Sequence, residues 1–79
     1  MNETRLLRCF CDALGLPHEQ IIDTLSYNAV KEWDSVAHMS LVAALEGEFD
    51  VMLDTDEIIS MSTVATARDI LRKRGVEFP

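Results

Sequence analysis

"KEWDSVAHMSLVAALEGEFD", residues 31–50, is the stretch on which the fold of this chain turns. Asp34 and Ser35 stand together behind Trp33, at the head of an apolar run with helical spacing. The first N–H groups of a helix have no intrahelical acceptor, and one side-chain oxygen suffices to cap them. Here there are two candidates. Either one caps and the other is incidental, or Ser35 is a hydroxyl presented at a helix tip for another protein to modify. The helix itself is expected to run from Ser35 to Phe49.

Placing each residue about 100° further around the axis separates two apolar stripes on this helix. Leu41, Val42, Leu45 and Phe49 form the broad face that should pack inward, and Val36, Met39 and Ala43 form a second, roughly 120° away. Glu46 falls between them. A small bundle can wrap both stripes, or it can leave the second exposed as a docking surface. Methionine suits the second role, being flexible and polarizable. Val36 and Met39 lie within one turn of Ser35, so a partner gripping this stripe would sit over the serine. Gly47, in the helix interior, should cost about 1 kcal/mol relative to alanine and leave the helix end mobile.

Outward from this helix the pattern stays helical. Residues 3–14 read as a first helix, with Asn2 or Thr4 as cap, Glu3 at the positive end and Gly15 as the stop; Leu6, Leu7, Phe10 and Leu14 share a face. A long connection follows, in which Pro17 opens a short helical turn through Ile21 and Ile22. Connections of this length are uncommon in compact domains and often functional. A third, short helix begins at Asp54 or Thr55 and covers "DEIISM", with acids in its first turn. Ser62 or Thr63 then caps a fourth. Val64, Ala67 and Leu71 share a face there, Arg72, Lys73 and Arg74 fill the last turn, and Gly75 stops it. No segment alternates with period two for long enough to argue for a strand. The fold class is all-α: a small four-helix bundle with three main helices and a short third one.

A chain of 79 residues supports one small domain, residues 1–79, and one modest core, which favours binding or carrying over an enclosed enzyme cleft. The formal net charge is −7, and no Lys or Arg occurs between Lys31 and Arg68. Such an acidic middle repels nucleic-acid backbones and anionic membrane surfaces and favours partners with basic patches. Cys9 and Cys11, two apart on a helix, project about 200° from each other and are poorly placed to bridge. Two cysteines with no histidine at ligand spacing also fall short of a zinc site. A reduced, cytoplasmic setting is expected, with no signal peptide and no membrane span. Nothing signals oligomerisation, and a monomer is expected.

Catalytic and metal readings fare poorly. His38 follows Ser35 by three residues, but a Ser-His pair without an orienting group or oxyanion hole is a weak triad, and "WDSVA" lacks the glycines of a nucleophile elbow. His38 is expected to be solvated in the first turn, and His18 is unremarkable in its loop. "DVMLDTDE" lacks the central glycine and alternating oxygen ligands of a calcium loop, so no metal is assigned.

"EWDSVAHMSLVAALEGEFDV", the acidic "DTDEI" and "MSTVATARDIL", in this order and spacing, resemble the acyl carrier protein family and its relatives, the peptidyl and aminoacyl carrier domains. The modified serine of that family lies in an Asp-Ser-Leu motif at the start of the second helix. The resemblance covers essentially the whole chain, the long connection included. It implies that Ser35 receives a covalent 4′-phosphopantetheine from coenzyme A. A separate Mg-dependent phosphopantetheinyl transferase makes the transfer, with Asp34 beside the metal. The chain would then be no enzyme but an acyl carrier, holding acyl groups as thioesters for a loading ligase, ketosynthase or acyltransferase.

The departures are instructive. Val36 replaces the motif's leucine, and His38, Ser40 and Gly47 stand where fatty-acid-type carriers place acids on the second helix. That pattern favours a stand-alone carrier in a dedicated fatty-acid-like, polyketide-like or other acyl-transfer pathway. The partner surface implied comprises Val36, Met39, Ile58 and Met61 as its apolar part, with Glu46, Glu48, Asp56 and Glu57 supplying charge. The alternatives are an aminoacyl or peptidyl carrier, or an unmodified acidic helical adaptor.

Overall fold

The computed structural model describes residues 1–78. Helix α1 (Asn2–Leu14) buries Leu6, Cys9, Phe10 and Leu14, an i, i+3, i+4, i+8 pattern that places them on one face. Gly15 closes it in the left-handed region, φ 68°, with its N–H donating to the carbonyl of Cys11. At the other end the expected cap is absent: Met1 occupies the N-cap position with no side-chain cap. Asn2 lies inside the helix and works at longer range. Its Nδ2 donates to the carbonyl of Glu77, and its Oδ1 accepts from Arg5. The amide spans two chain termini instead of closing one.

The turn after Pro17 is a single 3-10 turn, His18–Gln20, shorter than expected. Ile21 enters the core while Ile22 stays exposed. The rest of the long connection has no helical period but is ordered by its backbone hydrogen bonds. Leu25 and Asp23 carbonyls accept from Val64 and Ala65, Tyr27 N–H donates to the carbonyl of Ser62, and Ser26 pairs with Thr63 in an isolated antiparallel bridge. The loop thus uses the link between the third and fourth helices as its hydrogen-bonding partner, which satisfies backbone groups that would otherwise be left unpaired.

Helix α2 spans Ser35–Phe49, as the sequence indicates, and ends at Asp50 in the left-handed region. Helix α3 (Thr55–Ser60) starts with a reciprocal capping box between Asp54 and Glu57. Helix α4 (Val64–Lys73) starts with a second one, Thr63 with Thr66, so Thr63 and not Ser62 is the cap. The last turn of α4 differs from expectation at Arg74. That residue is the C-cap, and its guanidinium leaves the helix to pair with Glu57 of α3. No strand occurs among the described residues.

The four helices and the loop share one core. Leu6, Phe10, Trp33, Leu41, Leu45, Val64 and Leu71 are each 0 % exposed. Trp33, at the end of the long loop, sets its ring edge-on to Phe10, centroids 5.4 Å apart. Arg68 of α4 fastens the outside: it donates two hydrogen bonds to the carboxylate of Glu3 in α1 and one to Asp23 in the loop. The bidentate geometry is the one in which a guanidinium holds a carboxylate best. Cys9 and Cys11 are free thiols. Burial, assisted by the nearby charges of Glu48 and Asp12, pushes the Cys9 thiol up to about 11.

Candidate functional site

The Asp34-Ser35 pair divides its work cleanly. Asp34 adopts an extended backbone as N-cap and accepts from the N–H of Ala37 at 2.9 Å. Ser35 becomes the first helical residue and contributes nothing to the cap. Its hydroxyl is exposed, with the single phenol of the chain, Tyr27, as its partner: the two oxygens are 2.9 Å apart. Among the described residues, the N–H groups of Ser35 and Val36 have no acceptor, as expected for the first turn of a helix. The site is therefore a solvent-facing hydroxyl at the positive end of a fifteen-residue helix.

Behind it lies a polar network within an aromatic cluster. Trp33 is fully buried, and its indole N–H needs an acceptor; it donates to Nδ1 of His38 at 2.9 Å. Because the indole can only donate, Nδ1 must offer a lone pair, and the ring proton sits on Nε2. From there it is donated to the carbonyl of Ile58 in α3, also at 2.9 Å. The expectation of a solvated His38 is corrected: the imidazole is half-buried, stacked on Trp33 and edge-on to Tyr27. The physical reason is the orphan indole N–H, which solvent does not reach. Both ring nitrogens are committed and neither meets Ser35, so there is no Ser-His pair here to activate the hydroxyl.

The two stripes of α2 part company. Leu41, Val42 and Leu45 are buried, whereas Val36 is 77 % and Met39 56 % exposed, and Ala43 is exposed as well. With Ser35 and Ser40 they line a shallow open depression. On α3 the expected surface is corrected. Met61 is 1 % exposed and belongs to the core, and Ile58 is half-buried; Ile59, not singled out from the sequence, is 74 % exposed. Residues 58 and 61 share a face by i, i+3 spacing, and in so short a helix that is the face that packs inward.

The expected acids are mostly engaged inside the molecule. Glu46 accepts from the N–H of Leu53, holding the loop after α2 to the helix it follows. Glu48 pairs with Arg5 at 2.6 Å. Glu57 closes the α3 capping box and pairs with Arg74, whose hydrogen bonds hold its carboxyl below the ordinary carboxylate range. Asp56 is exposed, and its carboxylate has no hydrogen-bond or ion-pair partner among the described residues. The residue missed entirely from the sequence is Tyr27. Its one signal was being the sole tyrosine, set in a long loop eight residues before the serine.

A small helical bundle that exposes a hydroxyl at the tip of one helix, beside an uncovered apolar stripe, has the form of a carrier. Residues 4–72 match the family described as "Phosphopantetheine attachment site", and the chain belongs to that family. Curated relatives include the acyl carrier proteins of Buchnera aphidicola subsp. Acyrthosiphon pisum, strains Tuc7 and APS. Each is 27 % identical over 75 residues, covering 95 % of this chain and 94 % of the relative. The protein is thus a phosphopantetheine-bearing carrier and not a catalyst. Among the described residues no helix is long and apolar enough to cross a membrane.

Proposed function

We propose that Ser35 is the residue to which 4′-phosphopantetheine is attached, and that residues 1–79 form a single acyl carrier domain. The observation that supports this most directly is the split between Asp34 and Ser35. Asp34 supplies the cap, so the hydroxyl of Ser35 is left in water beside two free backbone N–H groups. Donors of that kind, with the helix dipole, favour a phosphate at this position. In the transfer, made by a separate phosphopantetheinyl transferase, the Oγ–P bond forms, the pyrophosphate link of coenzyme A breaks to release adenosine 3′,5′-bisphosphate, and the Oγ proton passes to the transferase. Asp34 keeps one carboxylate oxygen without a partner, suited to the metal such an enzyme brings. When bound, the group supplies a thiol on a flexible arm, which holds the acyl chain as a thioester.

Val36, Met39 and Ile59 form the apolar part of the docking surface, with Asp56 as the exposed charge at its rim. Glu46, Glu48 and Glu57 contribute to the field of this face but are held by partners of their own. A basic partner surface fits such a face. An acyl cargo, in place of an aminoacyl one, is favoured by the names of the curated relatives. The weak match of the second helix to an acid-rich docking face suits a dedicated fatty-acid-like or polyketide-like pathway in the cytoplasm, served by its own ligase, ketosynthase or acyltransferase.

The test is an intact mass after incubation with coenzyme A and a phosphopantetheinyl transferase. The wild type should gain one phosphopantetheine and Ser35→Ala none. A wild type left unmodified by several such transferases, or a Ser35→Ala protein that still gains the mass, overturns the assignment.

A further inference from the structure

The contact between Tyr27 and Ser35 joins residues that have no helical reason to meet. Tyr27 is held independently of the serine. Its backbone N–H donates to the carbonyl of Ser62, and the N–H of the next residue, Asn28, donates to the carbonyl of Trp33. Asn28 itself turns through the left-handed region at φ 65°, which directs the chain back toward the head of α2. The tyrosine ring then stands edge-on to both Trp33, at 6.3 Å, and His38, at 5.2 Å. Both of those rings are fixed by the hydrogen bonds described above. The phenol is therefore delivered to Ser35 by a rigid support reaching from the α3–α4 link, and Ser35 is its one hydrogen-bond partner among the described residues.

In the unmodified chain either hydroxyl can donate. Esterification changes this. Once Oγ carries phosphorus it has no proton, and only the phenol can donate. Its best acceptor is then no longer Oγ, because an ester oxygen shares its lone pairs with phosphorus, but an anionic oxygen on that same phosphorus. A hydrogen bond to an ionised acceptor is roughly twice as strong as a neutral one.

We propose that Tyr27 is the positioning residue for the phosphodiester at Ser35, its O–H donating to a phosphoryl oxygen and so fixing the root of the arm against the long loop. The proposal rests on the assignment of Ser35 as the attachment residue. It makes the loop and the α3–α4 link, and not only the head of α2, part of the prosthetic-group site. It also implies that the modified chain is more stable than the unmodified one, since the bond from the phenol to an ionised phosphoryl oxygen replaces the weaker neutral bond between the two hydroxyls.

The test uses the full chain as wild type, Tyr27→Phe and Ser35→Ala, each treated with coenzyme A and a phosphopantetheinyl transferase. Tyr27→Phe keeps the ring and removes only the hydroxyl, and an unchanged near-ultraviolet signal from Trp33 reports that the aromatic cluster is intact. Wild type and Tyr27→Phe should both gain the group by mass. The ³¹P resonance of the loaded Tyr27→Phe protein should then move from the wild-type position toward that of the same serine phosphodiester in the urea-unfolded loaded protein. The rise in melting temperature on modification should be lost in the variant. A loaded variant whose ³¹P resonance stays at the wild-type position overturns the role of Tyr27 while leaving Ser35 assigned. A wild type that takes up no group overturns both.

Discussion

The indole N–H of Trp33 donates to Nδ1 of His38, and Nε2 of the same imidazole donates to the carbonyl of Ile58, each across 2.9 Å. One side chain in the first turn of α2 therefore satisfies a fully buried indole and ties α2 to α3. Replacing His38 with alanine leaves the Trp33 N–H buried without an acceptor, at a cost of about 1–3 kcal/mol. Urea unfolding of His38→Ala should show this as a lower midpoint with an unchanged slope. A midpoint equal to the wild type would mean that water reaches the indole.

Asp34→Asn separates two roles that share one side chain. Asparagine caps helices about as well as aspartate, so stability should change by less than about 0.5 kcal/mol. The negative charge is lost, however, and with it the oxygen suited to a transferase's metal. The rate of phosphopantetheine uptake should fall while the melting temperature holds. A fall in both, in equal proportion, would make Asp34 a cap and nothing more.

Gly47 sits in the interior of α2, and a methyl group built there meets nothing within 4 Å. Its φ is not in the left-handed region, so alanine fits without strain. Gly47→Ala should raise stability by about 0.5–1 kcal/mol, from lower backbone entropy in the unfolded chain. Thermal unfolding is the measurement, and a destabilised variant would contradict the open surroundings.

The carboxyl of Glu57 is held below its ordinary range, chiefly by hydrogen bonds from Arg74 and next by the backbone N–H of Asp54, which donates to it. A folded-state value depressed below the unfolded one stabilises the protein above the unfolded value and ceases to do so as pH falls through the folded one. Stability should therefore drop on acidification through and below the usual carboxylate range. Glu57→Gln should flatten that drop, as read from melting temperatures between neutral and acid pH. An unchanged slope would place the acid sensitivity elsewhere.

Cys9 and Cys11 should differ in reactivity. Cys9 is buried, and burial pushes its thiol up to about 11, which lowers its thiolate fraction near neutral pH. Cys11 is half-buried. Under native conditions a thiol reagent should label Cys11 first and Cys9 only on unfolding, which peptide mapping of the labelled protein reads directly. Equal labelling would show that the α1–α2 contact opens readily.

The local part of this protein was legible in its residues. Several boundaries fall where cap and stop residues place them: α2 runs from Ser35 to Phe49, Gly15 closes α1, and one of the two candidates at each head, Asp34 and Thr63, caps α2 and α4. Neither Asn2 nor Thr4 caps α1, however, and α4 has its C-cap at Arg74, one residue before Gly75. Caps and apolar periodicity act within four residues, so a sequence displays them. Asn2 escaped because its amide partner is 75 residues away, and Met61 because the i, i+3 pair it makes with Ile58 does not say which way a short helix faces.

The order of residues thus carries a set of helices and the serine at the head of one of them. Which apolar stripe is covered, the engagement of His38 with Trp33 and Ile58, and the contact of Tyr27 with Ser35 all depend on how the folded elements meet. The reason is reach: hydrogen bonds and packing between distant segments depend on how the elements meet, and no local pattern of residue types encodes that meeting.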